Sequence, residues 1–141
     1  MEYSYRATIE KDPDGGFVVT FADVPEANTF GETHADAVAS ASEALGLALR
    51  GILQAGRNLP EPTATEGTPV AVDADVAVKL AVIVAFRAAD ISKTELARRM
   101  GKTETEARRI LDPDHGTKIG QLQDALRALG QEIVITVRTA A

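Results

Sequence analysis

Between Ile91 and Leu111 six cations, Lys93, Arg98, Arg99, Lys102, Arg108 and Arg109, stand against three carboxylates, Glu95, Glu104 and Glu106. Cations at this density suit phosphate oxygens, and an arginine can also read a guanine edge through two hydrogen bonds. Other chemistry is poorly supplied. His34 and His115 have no sequence-local partner of catalytic type, and a surface position explains both. Asp12, Asp14 and Asp23 are candidate metal ligands by type, but they stand in turn-rich segments, where Asp bonds its own backbone. Gly15 and Gly16 are followed by a strand pattern rather than a helix, so they form a turn and not a phosphate loop. With no cysteine there is no disulfide, zinc ribbon or thiol nucleophile, and a reducing, cytoplasmic setting fits. No catalytic, cofactor-binding or metal-ligating set is expected, and the chain reads as a non-enzyme.

The cations between Ile91 and Leu111 are positioned by two short helical patterns. Ser92 with Glu95, and Thr103 with Glu106, have the spacing of capping boxes, each pairing a hydroxyl and a carboxylate with backbone donors at a helix start. Gly101 falls between the two helices, where a left-handed residue reverses the chain. Ala97 permits a close crossing, and Leu96, Met100, Ala107 and Ile110 are spaced to form a shared core. This predicts a helix-turn-helix whose second helix lies in the major groove. Thr103, Glu104, Thr105, Arg108 and Arg109 are then the base-facing residues, and Lys93, Thr94, Lys102 and Lys118 the phosphate contacts. The reading requires the second helix to be exposed and its arginines not to be locked by internal carboxylates. Glu104 is the awkward member, because a carboxylate near phosphates repels them unless it accepts from a cytosine amino group.

The rest of the chain supplies a different kind of module. Tyr3 to Ile9 alternates as a half-buried strand, Lys11 to Gly16 is a turn, and Phe17 to Phe21 returns as a second strand. A short strand is expected near Asn28 to Phe30. Thr33 and Asp36 mark the start of a helix carrying Val38, Ala41, Leu45, Ala48, Leu49 and Ile52 at helical spacing, closed near Ala55 by Gly56. Leu59 to Pro69 reads as a polar, proline-containing connector, and Val70 to Val72 as a strand that completes the sheet. A helix then runs from Asp73 or Asp75 to about Ala89, apolar nearly all round and so buried on two sides. Further helices are expected at Lys93–Met100, Glu104–Leu111 and Lys118–Leu129. Ile133, Ile135 and Val137 alternate in a final strand with a part in dimerisation.

The fold class is therefore α+β: a small antiparallel sheet with one main helix over residues 1–66, then an all-α domain with a short C-terminal strand over residues 73–141. Charge divides in the same way. Up to Glu66 there are four basic and eleven acidic residues, although the net charge of the whole chain is only −6. An acidic module suits a basic partner, and a local basic cluster suits phosphate. The N-terminus lacks the pattern of a signal peptide, and the apolar run Leu80 to Phe86 is too short for a membrane span.

Particular stretches in this order resemble the HicB-type antitoxins. They are Asp12 to Phe17, Val24-Pro25, Gly31 to Thr33, Ala35 to Ala37, Glu43 to Leu45 and Leu59 to Pro62. In the second half, Leu96 to Gly101, Arg109 to Asp112, His115 to Lys118 and Leu126 to Gly130 resemble the helix-turn-helix variant of that family. One departure is His34, where the family more often has a hydrophobic residue. The resemblance implies a truncated ribonuclease-H-like N-terminal fold without nuclease activity. It also implies a HicA-type mRNA-cleaving toxin as partner, masked by that module, and operator DNA as the second partner, bound by a homodimer or higher homo-oligomer. The toxin-contacting residues follow no short motif. Two other readings compete. One is a stand-alone regulator whose N-terminal module senses a ligand or dimerises. The other is an active nuclease, which would need carboxylates converging on Mg²⁺.

Overall fold

In a computed structural model, residues Met1 to Ala140 are described. They form two compact units, built from Met1–Asp73 and Ala74–Thr139. In the first, the alternation of the opening segment becomes β1 (Ser4–Lys11), with Tyr5 and Ala7 buried between half-exposed neighbours. The turn that follows is closed by Asp12, whose carboxylate accepts from the Asp14 backbone N–H at 2.9 Å. β2 (Phe17–Phe21) pairs antiparallel with β1 (Lys11 opposite Phe17, Ala7 opposite Phe21). β3 (Thr29–Gly31) continues the meander, and α1 (His34–Gln54) crosses the sheet, touching all four strands. Thr33 caps α1 by accepting from the Asp36 N–H, and Ala37, Ala41, Leu45, Leu49, Ile52 and Leu53 form its buried stripe. β4 (Thr68–Ala71) then pairs antiparallel with the free edge of β1, giving the order β3-β2-β1-β4. Pro69 lacks an N–H and is tolerated because β4 is an edge.

The connector expected to be a simple polar linker is strapped down. Tyr5 donates its hydroxyl to the Pro60 carbonyl at 2.6 Å, and Arg6 donates to the Gly67 carbonyl at 2.9 Å. The Asp23 carboxylate accepts from Thr63 Oγ1 and the Ala64 N–H, both at 2.8 Å, and these bonds hold it below the usual carboxylate range. Burial, reinforced by Glu61, pushes the Tyr5 hydroxyl up to about 12.

The second unit is helical: α2 (Ala74–Ala89), α3 (Lys93–Met100), α4 (Glu104–Ile110) and α5 (Ile119–Ala128). Val82, Leu96, Ile110, Leu111, Leu122, Leu126 and Leu129 make its core, with Val78, Phe86, Met100 and Ile133 packed against it. Leu80 and Ile83 are buried as well, in keeping with an α2 that is apolar nearly all round.

The final strand expected at Ile133 to Val137 does not form. Residues 131–140 take no regular secondary structure, and Val134, Ile135 and Val137 are 79%, 79% and 91% exposed. Alternation specifies a strand's faces but supplies no neighbour for its backbone, and a lone strand has no ladder to stabilise it.

Candidate nucleic-acid interface

The pair α3–α4 is built by caps and a reversal. Ser92 Oγ accepts from the Glu95 N–H at 3.0 Å, starting α3, whose buried face is Leu96 and Ala97. Gly101, at φ 67°, closes α3: its N–H goes to the Arg98 carbonyl, and the Lys102 N–H returns to Ala97 at 2.9 Å. A residue with a side chain would be strained in that left-handed conformation. Thr103 and Glu106 then form a full capping box, with bonds of 3.2 and 2.8 Å. The box expected at Ser92 and Glu95 is only half made. The Glu95 carboxylate turns to the guanidinium groups of Arg98 (2.6 and 2.8 Å) and Arg99 (3.0 Å), which hold it at about 2. Two charge-assisted partners, three and four residues on, outcompete one neutral backbone N–H.

Behind α4 the side chains of Ala107 and Ile110 are buried, while Thr103, Glu104, Thr105, Arg108 and Arg109 are all exposed. The two arginines differ. Arg108 donates to Glu104 at 2.8 Å, a pair whose side chains are 62% and 46% exposed. The expectation that both arginines stand clear of internal carboxylates therefore fails for Arg108. Four residues apart on a helix, the two side chains are neighbours, and such an exposed pair contributes only about 0.3–0.5 kcal/mol. Arg109 makes no side-chain hydrogen bond or ion pair among the described residues, and Glu106 feels its charge without contact. Glu104 also accepts weakly from Thr94 Oγ1 at 3.4 Å. It thus links the start of α3 to α4, a structural role invisible in the sequence because its partner lies ten residues away.

Of the phosphate set, Thr94 is drawn into that link. Lys93, Lys102 and Lys118 make no side-chain hydrogen bond or ion pair among the described residues, with Lys93 and Lys118 exposed and Lys102 half-buried. Lys118 precedes α5 without capping it, so its charge stands at the positive end of a helix, where a cation is locally unfavourable. His115 is exposed, its Nδ1 3.2 Å from Thr117 Oγ1.

One positioning residue escaped sequence reasoning. Lys79 of α2 is buried and donates to the carbonyls of Arg109 (3.1 Å) and Ile110 (2.9 Å) and to Thr117 Oγ1 (2.8 Å). It satisfies carbonyls that the end of α4 leaves open and ties that end to α2. Burial lowers its ammonium to about 8. The available signal was its isolation, a single cation inside the apolar run from Val76 to Phe86.

Residues 4–89 match the model of the HicB-like antitoxins of bacterial toxin–antitoxin systems. The chain belongs to the HicB-like antitoxin family. That match covers β1 through α2 and stops short of α3–α5. Whole-chain relatives extend further. The antitoxin HicB of Escherichia coli K12 is 37% identical over 94% of this chain and 98% of its own length. Antitoxin HicB 1 of Photorhabdus laumondii is 33% identical over 94% and 86%, and antitoxin HicB of Pseudomonas fluorescens 30% over 98% and 96%. A toxin partner follows from membership in such a system. No helix among the described residues is long and apolar enough to cross a membrane.

Proposed function

We propose that this antitoxin neutralises a small basic HicA-type mRNA-cleaving toxin through its N-terminal module, residues 1–66 with β4, and represses its own operon through residues 73–141. In this reading α3 and α4 are a helix-turn-helix and α4 enters the major groove of operator DNA, bound as a homodimer or higher homo-oligomer. The observation that carries it is the division of α4: Ala107 and Ile110 face the core while Thr103, Glu104, Thr105, Arg108 and Arg109 face solvent. Lys93, Lys102 and Lys118, whose side chains make no hydrogen bond or ion pair among the described residues, supply the phosphate contacts. The toxin half is supported by family membership and by the acid surplus of the sheet unit, which suits a basic partner. A sheet in the order β3-β2-β1-β4 with one helix across it is compatible with a truncated ribonuclease-H-like module, and no catalytic role is assigned to it.

Co-expression with the adjacent reading frame, purification, and a mobility-shift assay on DNA upstream of the gene test both halves together. The expected result is a complex with the basic neighbour and a shift that survives unrelated competitor DNA. A chain that shifts the DNA but captures no neighbour is a stand-alone regulator, and the toxin half is then lost. Capture without a shift removes the operator half.

A further inference from the structure

We propose that His115 is a further phosphate-binding residue of the helical unit, fixed as a free Nε2–H donor by a relay that begins at buried Lys79 and passes through Thr117. The ligand rests on the operator reading; the geometry rests on the side-chain network alone. An ammonium has three protons to donate and accepts nothing. Lys79 places all three, on the carbonyls of Arg109 at 3.1 Å and Ile110 at 2.9 Å and on Thr117 Oγ1 at 2.8 Å. Thr117 is therefore an acceptor towards Lys79, and its own O–H is left to donate. The acceptor within reach is His115 Nδ1, at 3.2 Å. In a neutral imidazole the accepting nitrogen is bare, so the ring proton sits on Nε2. The other tautomer would turn Nδ1–H onto Thr117 and leave the threonine proton without an acceptor among the described residues. An ionised ring donates from both nitrogens, so Nε2–H is presented in that state too.

The choice of ligand comes from where this ring stands. His115 is exposed, and the loop that carries it continues α4: the Asp112 N–H goes to the Arg109 carbonyl at 3.3 Å, and the His115 N–H to the Asp112 carbonyl at 3.2 Å. Lys79 holds both ends of that stretch, the last carbonyls of α4 and Thr117. In the homeodomain variant of the helix-turn-helix, the C-terminal end of the recognition helix meets the DNA backbone. A phosphate oxygen only accepts, which suits a ring whose free nitrogen donates, and Lys118 stands three residues on. A metal ion suits it poorly, because no group of three His, Asp or Glu among the described residues could hold one. The loop also carries two acids. Asp112 accepts from the Asp114 N–H at 2.9 Å, whereas the Asp114 side chain makes no hydrogen bond or ion pair among the described residues. Its carboxylate would repel a phosphate held at His115, which gives the proposal a sign as well as a site.

Nitrogen-15 NMR of the full chain reads the relay without DNA. The native protein is expected to hold neutral His115 in the Nε2–H form, and Thr117→Val, which removes the hydroxyl, to show a mixture of both forms. A native Nδ1–H form, or a tautomer that Thr117→Val leaves unchanged, overturns the relay. Titration of the full chain with DNA from upstream of the gene, and with unrelated DNA, reads the contact. His115→Ala alters an exposed side chain, so its circular dichroism should match the native protein. It should weaken both DNAs equally, about two- to tenfold, the worth of one hydrogen bond. Asp114→Asn should tighten both by about two- to fivefold. A loss confined to the upstream DNA would make His115 a base reader, and an unchanged affinity would remove it from the interface. Either result overturns the proposal, as does a looser complex of Asp114→Asn. A native chain that shifts no DNA fails the operator reading and this contact with it, whereas normal native binding beside an unaffected His115→Ala fails the proposal alone.

Discussion

The two units use their carboxylates differently, and the difference decides what each can offer a partner. On α3, α4 and α5 the acids are met close by: Glu95 by Arg98 and Arg99, Glu104 by Arg108 and Asp124 by Arg127 at 3.9 Å, with Glu106 bonded to the Thr103 N–H. Across α3, the turn after it and α4, the charged side chains that make no hydrogen bond or ion pair among the described residues are cationic, at Lys93, Lys102 and Arg109. In the sheet unit Asp12 and Asp23 accept from backbone and hydroxyl donors, which carry no compensating positive charge. Its acid surplus therefore survives folding. Net charge is a poor guide to partners in such a chain, because the outward field depends on which charges folding has already paired.

The sharpest way to break this division is Arg109→Ala. Arg109 is the uncommitted arginine of α4, and losing a base-reading guanidinium costs about 1–3 kcal/mol, or roughly ten- to a hundredfold in operator affinity. Arg108→Ala should cost less, since part of that side chain's hydrogen bonding is already met by Glu104. Toxin capture by either variant should be unchanged in a pull-down. Loss of capture from a folded variant would mean that the two functions are not separated as proposed.

Next in size is Lys79→Met. Removing the ammonium leaves the Arg109 and Ile110 carbonyls without their donor, at a cost of about 1–3 kcal/mol in urea unfolding at pH 7. The pH dependence has a definite sign. With Lys79 lowered to about 8 in the native state and ordinary near 10.5 unfolded, the unfolded chain binds the extra proton between those values. Native stability therefore rises with pH across that window, by at most about 3 kcal/mol. The methionine variant lacks this gain, so the gap between the two proteins should widen from pH 8 to pH 10.5. A gap that narrows would show the lysine to be charged and well solvated in place.

How far the sequence reveals these features depends on the range over which each is determined. The strand Phe17–Phe21 and the helices Ala74–Ala89 and Lys93–Met100 have the bounds that periodicity and caps predict, because those signals act within a few residues. The five α4 residues chosen as base-facing are all exposed for the same reason, since Ala107 and Ile110 fix which side turns inward. Features that needed a distant or competing partner were not legible. Glu104 meets Thr94 across the turn, Lys79 reaches the end of α4 30 residues away, and the connector is held by Tyr5, Arg6 and Asp23. Glu95 had the spacing of a capping box, but spacing does not rank one backbone donor against two arginines. The tail shows the converse case, a strand pattern complete in its side chains and lacking a neighbour in the single chain.

Acid should act on the helical unit through Glu95. Its carboxyl, ordinarily near 4.5, is held at about 2, chiefly by hydrogen bonds from Arg98 and Arg99. A depressed acid stabilises the native state fully above its unfolded value and loses that contribution as pH falls from 4.5 towards 2. Glu95→Gln should therefore flatten the acid limb of the stability profile, followed by circular dichroism. The effect should shrink in high salt because the cluster is exposed. An unchanged acid limb would mean that the pairing has no energetic weight.

The smallest effect expected is the most diagnostic of how α4 meets DNA. Lys102 follows the Gly101 reversal, makes no side-chain hydrogen bond or ion pair among the described residues, and is assigned to a phosphate. A phosphate contact is blind to sequence, so Lys102→Ala should weaken specific and unrelated DNA equally. It should also reduce the slope of log affinity against log salt by about one unit. Arg109→Ala should instead weaken the operator more than unrelated DNA. Glu104→Gln sharpens the contrast, since it releases Arg108 and removes a carboxylate from the side of α4 proposed to face the groove. If Glu104 acts only as a tether, that variant binds all DNA a few-fold more tightly, roughly the value of one exposed ion pair. If its carboxylate reads a cytosine amino group, the operator alone is bound more weakly. Equal loss on every sequence for both Lys102→Ala and Arg109→Ala would make α4 a phosphate-binding element without base readout.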